Sequence, residues 1–458
     1  MKYNISVKQF IDQGKNIDHN DFHSKLIEEL KRINKKFHLL QCIDESKPQA
    51  KPSLFSLPIS VKDNICTKGL QSSAGSQILN GYIPPFDATS VARTKEAGGA
   101  VIGKTNQDEF GFGTFSTNCG YAVPKNPLDP ERSCGGSSGG AAGLVAALDY
   151  PHIALAESTG GSISCPAAFC SVVGLTPTYG LVSRYGLIDY ANSLDKIGPI
   201  GKCVYDIALA LSIIAGHDNR DSTSLKVPAK DYTKCLGKDI KGMKIGVPKD
   251  YFNNIDKKIE KYVWDAIKKL ESLGATYKEI SLPTTKYALS SYYIIATAEA
   301  STNLAKYCGM RYGLHLEMGG NFNEYFSRVR SKGFGEEAKR RIILGTFARL
   351  SGYREAYYLK AMRVRTAIIQ DFKLAFNKFD VIAAPTMPVL PPKFSEIAKL
   401  SPLQNYQMDI LTVPANLAGV PMISIPAKKG KMIGLHLIGD HLQEEKILQV
   451  ASAYEAMK

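Results

Sequence analysis

Nine cysteines stand in the chain, an odd number, and no two of them form a C-x-x-C pair. Disulfide scaffolds and zinc ribbons need paired, closely spaced thiols, so this absence argues against both and for a reducing compartment. Apolar runs are short, well below the roughly 18 residues that a membrane-spanning helix requires. The N-terminal stretch MKYNISVKQFIDQGKN is polar and amphipathic, and it lacks the apolar core and small-residue cleavage site of a secretory signal. No segment repeats at a fixed period. Acidic residues are the minority sign, 43 Asp and Glu against 57 Lys and Arg for a net charge of +14, so the surface favours polyanions or an acidic partner. That excess is dispersed in short clusters such as Lys31 to Lys36 and Lys339 to Arg341, which read as solvated helix faces. These absences lead us to expect a soluble, cytoplasmic protein with no membrane association.

Apolar residues make up 44% of the 458 positions and charged ones 22%, enough apolar material for a large core. From about Ser6 to Leu40, Phe22, Leu26, Ile27, Leu30 and Ile33 recur at helical spacing, so residues 1–50 are expected to form a helical arm packed on the core. LFSLPISVKDNI reads as the first buried strand, Ala88 to Ala97 as a helix and Ala100 to Ile102 as a strand. Strand, helix, strand in that order indicates an α/β fold. KIGV, DVIAAP and MISIPA look like further buried strands, while Asp256 to Leu273 and Arg340 to Phe376 carry helical periodicity. Residues 51–458 are therefore read as a single domain with a helical insertion at about 250–375.

Two motif matches mislead. GGAVIGKT, Gly98 to Thr105, fits the P-loop pattern, but a P-loop needs a strand before its first glycine and a helix after its Lys-Thr. Here a helix precedes Gly98 and the strand lies inside the motif. GGSSG, Gly135 to Gly139, fits the nucleophile elbow of α/β-hydrolases. The segment before it, NPLDPERSC, is broken by proline and cannot supply the required strand. The histidines, His152, His217 and His436 among them, sit in no pattern that suggests a catalytic base.

A third segment, ALAESTGGSIS from Ala154 to Ser164, runs from an apolar strand into a Gly-Gly-Ser turn. Consecutive glycines allow close backbone approach and leave N–H groups to face developing negative charge. A serine nucleophile needs a base, and a lysine serves where burial keeps it neutral. Lys62, in PISVKDN, has that apolar setting, although a snorkelling lysine or one paired with Asp63 explains the same residues.

PISVKDN, CGGSSGGAAG and STGGSISCPAAFC together resemble the amidase signature family, whose members carry a Ser-cisSer-Lys triad in such segments. The interval between Ser137 and Ser162 is 25 residues. The likeness continues through VGLTPTYGLVSRYGLIDYANSLDKIGPIGK, EEAKRRIILGTF and DILTVPANLAGVPMISIPA. It is most specific for the branch of A subunits of tRNA-dependent amidotransferases. That resemblance implies a large central mixed β-sheet covered by helices on both faces. It implies that Ser162 is the acyl-forming nucleophile, that Ser137 relays protons to Lys62, and that Ser138 supports the loop. Backbone N–H groups of Thr159, Gly160 and Gly161 would receive the oxyanion. Arg341 and Asp409, with Tyr292 beside them, would hold the carboxylate and ammonium of L-glutamine, although by sequence alone Arg341 fits a surface helix and Asp409 a helix cap. The implied activity is glutamine hydrolysis supplying ammonia for amidation of Glu-tRNA(Gln) or Asp-tRNA(Asn), a ligase function in protein biosynthesis. The implied partners are the B and C subunits of a heterotrimer and, through them, misacylated tRNA. No metal or cofactor is expected in this chain; ATP and magnesium belong to the partner subunit. A stand-alone amidase acting on small amides is the alternative.

The chain departs from the family at two places. Ser158 and Ser164 stand where most members have Asp, four residues before the nucleophile, and Arg, two after it. This resembles the version carried by archaeal members and implies Asp-tRNA(Asn) as acceptor. We read it as the joint loss of an acid and a base, which leaves no unpaired buried charge.

Overall fold

Asp18 starts the arm's long helix, its side chain accepting from the N–H groups of Asn20 and Asp21 (3.1 Å each) in the computed structural model, which describes residues 3–48 and 53–457. This N-cap satisfies donors that the first turn leaves unpaired. The helix, His19–Phe37, buries Phe22, Leu26, Leu30 and Ile33 along one stripe and ends at His38 in a left-handed conformation. The Asn34 side chain then brackets the backbone of Leu40, accepting from its N–H (2.7 Å) and donating to its C=O (3.1 Å). The chain thereby turns directly into a strand, Leu40–Ile43.

That strand enters the main sheet, so the arm is not helical throughout; the first fully buried strand is Pro58–Lys62, in LFSLPISVKDNI as expected. Leu40–Ile43 is four residues long and mostly half-buried, too short to show the period-2 pattern by which strands are read. Among the described residues eleven strands form one mixed sheet. They are β1 (Leu40–Ile43), β2 (Pro58–Lys62), β3 (Ala100–Thr105), β4 (Ile153–Ser158), β5 (Val173–Thr176), β6 (Lys196–Gly201), β7 (Lys244–Pro248), β8 (Thr276–Ile280), β9 (Val381–Pro385), β10 (Met422–Pro426) and β11 (Gly434–Ile438). Their spatial order is β1-β3-β2-β4-β6-β5-β10-β11-β9-β7-β8. β2 runs parallel to both β3 and β4, whereas β4 and β6 are antiparallel.

The sheet is covered on both faces. Along β9, Val381 and Ala383 belong to one apolar core and Ile382 and Ala384 to the other, the alternation that a two-sided strand must show. The segment 250–375 is not helical throughout. It contains β8, an edge strand, and the periodic stretch from Arg340 is interrupted: a helix Glu336–Arg349 gives way to a π-type turn at Glu355–Leu359 before the helix Lys360–Phe376. No helix among the described residues is long and apolar enough to cross a membrane.

The P-loop look-alike is part of β3. A Cβ on Gly103 would lie 2.2 Å from the Cys42 carbonyl oxygen on the neighbouring β1, so glycine is required by strand pairing. Lys104 is buried and donates to Thr67 Oγ1 (3.1 Å), Ser72 Oγ (3.0 Å) and the Ile65 carbonyl. It is a structural lysine.

Candidate active site

Parallel pairing of β2 with β4 puts the C-terminal ends of both strands on the same edge of the sheet, the usual place for a site in an α/β fold. β2 ends at Lys62, and β4 ends in Glu157 and Ser158 before the turn that carries Ser162. Lys62 is fully buried. Its Nζ donates to Ser137 Oγ (2.7 Å), to the Glu157 carbonyl (3.0 Å) and to Glu157 Oε2 (2.9 Å). Three acceptors match the three N–H bonds of an ammonium. Asp63, the sequence neighbour, turns away and accepts from Ser73 Oγ (2.5 Å) and the Gly75 N–H (2.9 Å). The counter-ion of Lys62 is therefore Glu157, 95 positions along the chain.

Ser137 lies in a loop braced from below. Asp108 accepts from the N–H groups of Ser116 and Asn118 (2.9 Å each), and its own N–H donates to the Ser137 carbonyl (3.3 Å). Burial pushes the Asp108 carboxyl up to about 6. The peptide bond between Gly136 and Ser137 is cis. No strand precedes this loop; the helix Gly139–Ala147 follows it. Ser138 ties the loop to the nucleophile turn, its N–H donating to the Ser162 carbonyl (3.2 Å) and its hydroxyl to the Glu157 carbonyl (3.1 Å).

The glycines of the turn sit under side chains. A Cβ at Gly160 would lie 2.5 Å from the Tyr292 hydroxyl, and one at Gly161 would lie 2.3 Å from Thr412 Oγ1. The Gly161 N–H donates to Ser158 Oγ (3.2 Å), so Ser158 already occupies one of the three amides expected to face an oxyanion. Ser164 Oγ is buried with no hydrogen-bond partner among the described residues. Glu157, one residue before Ser158, is a buried carboxylate paired with Lys62.

The substrate-end residues converge on the same region. Arg341, on the helix Glu336–Arg349, is buried rather than solvated. Its Nε donates to Glu337 Oε1 (2.8 Å) and its Nη1 to the Tyr190 hydroxyl (2.6 Å). The rings of Phe112, Tyr190, Tyr293 and Tyr406 surround its guanidinium at 5.1–5.7 Å, a cage suited to a planar cation. Asp409 accepts from Thr114 Oγ1 (2.9 Å) and the Tyr293 hydroxyl (2.7 Å). Burial pushes its carboxyl up to about 6, against the opposing pull of Tyr293, Thr114 and Arg341. A cavity of about 770 Å³ is lined by Thr114, Glu337, Arg341 and Tyr406, among others. Thr412 joins this region to the nucleophile turn by donating to the Gly160 carbonyl (2.7 Å).

Tyr293, not Tyr292, is the tyrosine bonded to Asp409. Tyr292 packs on Gly160 instead, its ring 5.0 Å from that of Tyr293. Sequence reading missed Glu157, Tyr190, Tyr293, Glu337 and Thr412. Only Glu157 carried a signal, a lone carboxylate in an otherwise apolar strand. The histidines stand apart from this arrangement. Burial holds His152 and His436 down to about 3, hence neutral, and His217 pairs with Asn219 Oδ1 (2.8 Å).

A lysine, two serines and a glycine turn, with an arginine and a carboxylate near one cavity, are the parts of an acyl-transfer site for a charged substrate. The family model for amidases matches residues 10–448. The chain belongs to the amidase family. Within that family it is 51% identical over 405 residues to the A subunit of glutamyl-tRNA(Gln) amidotransferase from Methanococcoides burtonii, covering 88% of this chain and 84% of the relative. It is 52% identical over 410 residues to the protein of the same name from Thermodesulfovibrio yellowstonii, with the same coverage. Among solved amidase-fold structures, that of the A subunit of glutamyl-tRNA(Gln) amidotransferase from Thermotoga maritima superposes with a TM-score of 0.85 at 36% identity, over 98% of this chain and 94% of that one. A structure described only as an amidase superposes with a TM-score of 0.81 at 25% identity, over 99% of this chain and all of that one.

Proposed function

We propose that this amidase is the glutaminase subunit of a tRNA-dependent amidotransferase. The observation that carries the reading is a Lys62–Ser137 relay tied through Ser138 to the Ser162 turn, with Arg341 on the wall of a neighbouring cavity and the opposite charge, Asp409, behind it, bonded to Thr114 of the same wall. The names borne by relatives about 50% identical support it. A small neutral amide needs neither charge, whereas the α-carboxylate and α-ammonium of glutamine need both. This weighs against the stand-alone amidase.

In the proposed reaction Ser162 Oγ attacks the side-chain amide carbon of glutamine, its proton passing through Ser137 to Lys62. The Thr159 and Gly160 amides of the turn face the oxyanion, the Gly161 amide being taken by Ser158 Oγ. Ammonia leaves as the proton returns along the same path, and water then hydrolyses the glutamyl ester. The ammonia is used by a partner subunit, which with ATP and magnesium activates the carboxyl group carried on misacylated tRNA. Partner subunits completing a heterotrimer and a cytoplasmic location belong to the same proposal. The relatives' name specifies Glu-tRNA(Gln) and the Ser158 and Ser164 departure implies Asp-tRNA(Asn), so both are acceptors to assay.

The test is co-expression with two partner subunits, followed by assays of glutamine hydrolysis and of amidation of both misacylated tRNAs. Hydrolysis coupled to amidation is expected; turnover of small amides without glutamine would favour the stand-alone enzyme. Asp409 adds a pH signature. Because burial pushes its carboxyl up to about 6, its hold on the substrate ammonium is present above that pH and lost below it. KM for glutamine should rise as pH falls through that value. In Asp409→Asn, KM should be raised about 10- to 100-fold at neutral pH, the loss of a charged hydrogen bond, and should no longer change across that window.

A further inference from the structure

Glu157 stands outside the triad yet makes more contacts with Lys62 than either serine does. Side chain and carbonyl both accept from Nζ, at 2.9 and 3.0 Å, and both residues are fully buried. Oε2 also accepts from Asn64 Nδ2 (3.1 Å). On the other oxygen, Thr159 Oγ1 lies 2.8 Å from Glu157 Oε1 and 2.8 Å from Asp195 Oδ1. A hydroxyl has one hydrogen to donate, so two ionised carboxylates cannot both be satisfied there and one of them must carry a proton. Asp195, whose Oδ2 already accepts from the N–H groups of Tyr190 and Ala191 (2.9 Å each), is pushed well up by burial and by the nearby Glu157. The order is thus Asp195 donating to Thr159, Thr159 to Glu157, and a single negative charge on Glu157 facing Lys62.

We propose that Glu157 is a fourth member of the relay, a positioning residue that aims Lys62 at Ser137 and stabilises the ammonium formed on Lys62 when Ser162 attacks. The proposal rests on the glutaminase reading above and deepens it. The resting form is the Lys62–Glu157 ion pair; the reactive form is reached from it by loss of one proton to solvent, which leaves Lys62 an amine able to accept from Ser137 while Glu157 stays a carboxylate. The Ser162 proton moves to Ser137 Oγ, the Ser137 proton moves to Lys62 Nζ, and the new C–O bond drives the carbonyl π pair onto oxygen. On collapse the Lys62 proton returns through Ser137 to the nitrogen, the C–N bond breaks with its electron pair on nitrogen, and ammonia departs. Glu157 keeps its charge throughout. It serves Lys62 as the acid of a Ser-His-Asp triad serves its histidine, by stabilising the cation that forms and by fixing the base's direction.

The other ionisable groups around Lys62 do not substitute for it. Asp195 reaches it only through Thr159, Asp108 is engaged by the Ser116 and Asn118 amides, and Asp63 faces Ser73 and Gly75. Lys196, across from Ser158 on β6, donates to the Leu194 carbonyl (2.6 Å).

The test uses the assembled amidotransferase with Glu157→Gln and Glu157→Asp. It reads kcat and KM for glutamine over a pH series, together with the rate at which a fluorophosphonate probe labels Ser162. Glu157→Gln should lower kcat and the labelling rate by about 100-fold or more, leave KM within about threefold, and move the acid limb of both profiles to lower pH. Glu157→Asp, which keeps the charge, should recover at least tenfold of the lost rate. Wild-type kcat with an unmoved acid limb in Glu157→Gln overturns the proposal, and so does a change confined to KM. If Glu157→Gln does not fold, Glu157→Asp decides: labelling as slow as in Ser162→Ala overturns it. Labelling needs no glutamine, so a wild-type complex that labels without hydrolysing glutamine refutes the glutaminase reading and leaves this one standing.

Discussion

Ser162→Ala is expected to reduce glutamine hydrolysis by about four orders of magnitude or more, since the acyl-enzyme route loses its nucleophile outright. The variant should fold as the wild type does. Ser162 is buried, but its structural bond is made by its carbonyl, which accepts from the Ser138 N–H and survives the substitution. Alanine retains the Cβ, and the neighbouring glycines that need close approach are untouched. Amidation driven by added ammonium salt should persist at the wild-type rate, because the partner subunit's chemistry does not pass through this serine. Hydrolysis, fluorophosphonate labelling and ammonium-driven amidation measured on one preparation check all three statements. Retained glutamine hydrolysis would sink the nucleophile assignment, while loss of ammonium-driven amidation would show that the substitution disturbs the assembly rather than the chemistry.

How much of this site is legible in the sequence depends on how local each contact is. The Gly-Gly-Ser turn after β4 is written in consecutive residues, and the family resemblance points to Lys62 and Ser137. β3 and the helix before it follow from period and from glycines at their junction. What sequence reading misses is decided across long separations. Glu157 is next to Ser158 in the chain, but its importance comes from Lys62, and nothing near either residue announces the other. Arg341 sits in a KRR run that reads as solvated, and only the rings of Phe112, Tyr190, Tyr293 and Tyr406 make it a buried cation. Helical phase separates Tyr292 from Tyr293: one residue's rotation turns the first to Gly160 and the second to Asp409. β1 escapes because four residues, one buried and three half-buried, carry no alternation, and its place is set by Asn34 and by pairing with β3.

Lys62→Met should be inactive and also strongly destabilised, and the two losses have different causes. Inactivity follows from removal of the base. Destabilisation follows from Glu157, which would remain buried without its counter-ion, a change that costs about 3–5 kcal/mol. Replacing both partners, Lys62→Met with Glu157→Gln, should recover most of that stability, because two neutral side chains of similar volume need no mutual charge. The double variant should stay as inactive as the single one. Urea unfolding of the four proteins, read as a double-mutant cycle, gives the coupling, and hydrolysis assays give the chemistry. A single Lys62→Met variant as stable as wild type would mean that the pair is not held as the 2.9 Å contact indicates. Stability restored without activity would place the ion pair among features kept for catalysis. A buried pair that an apolar and an amide side chain can replace without loss of stability is retained for the proton it manages, which is the role assigned to Glu157 beside Lys62.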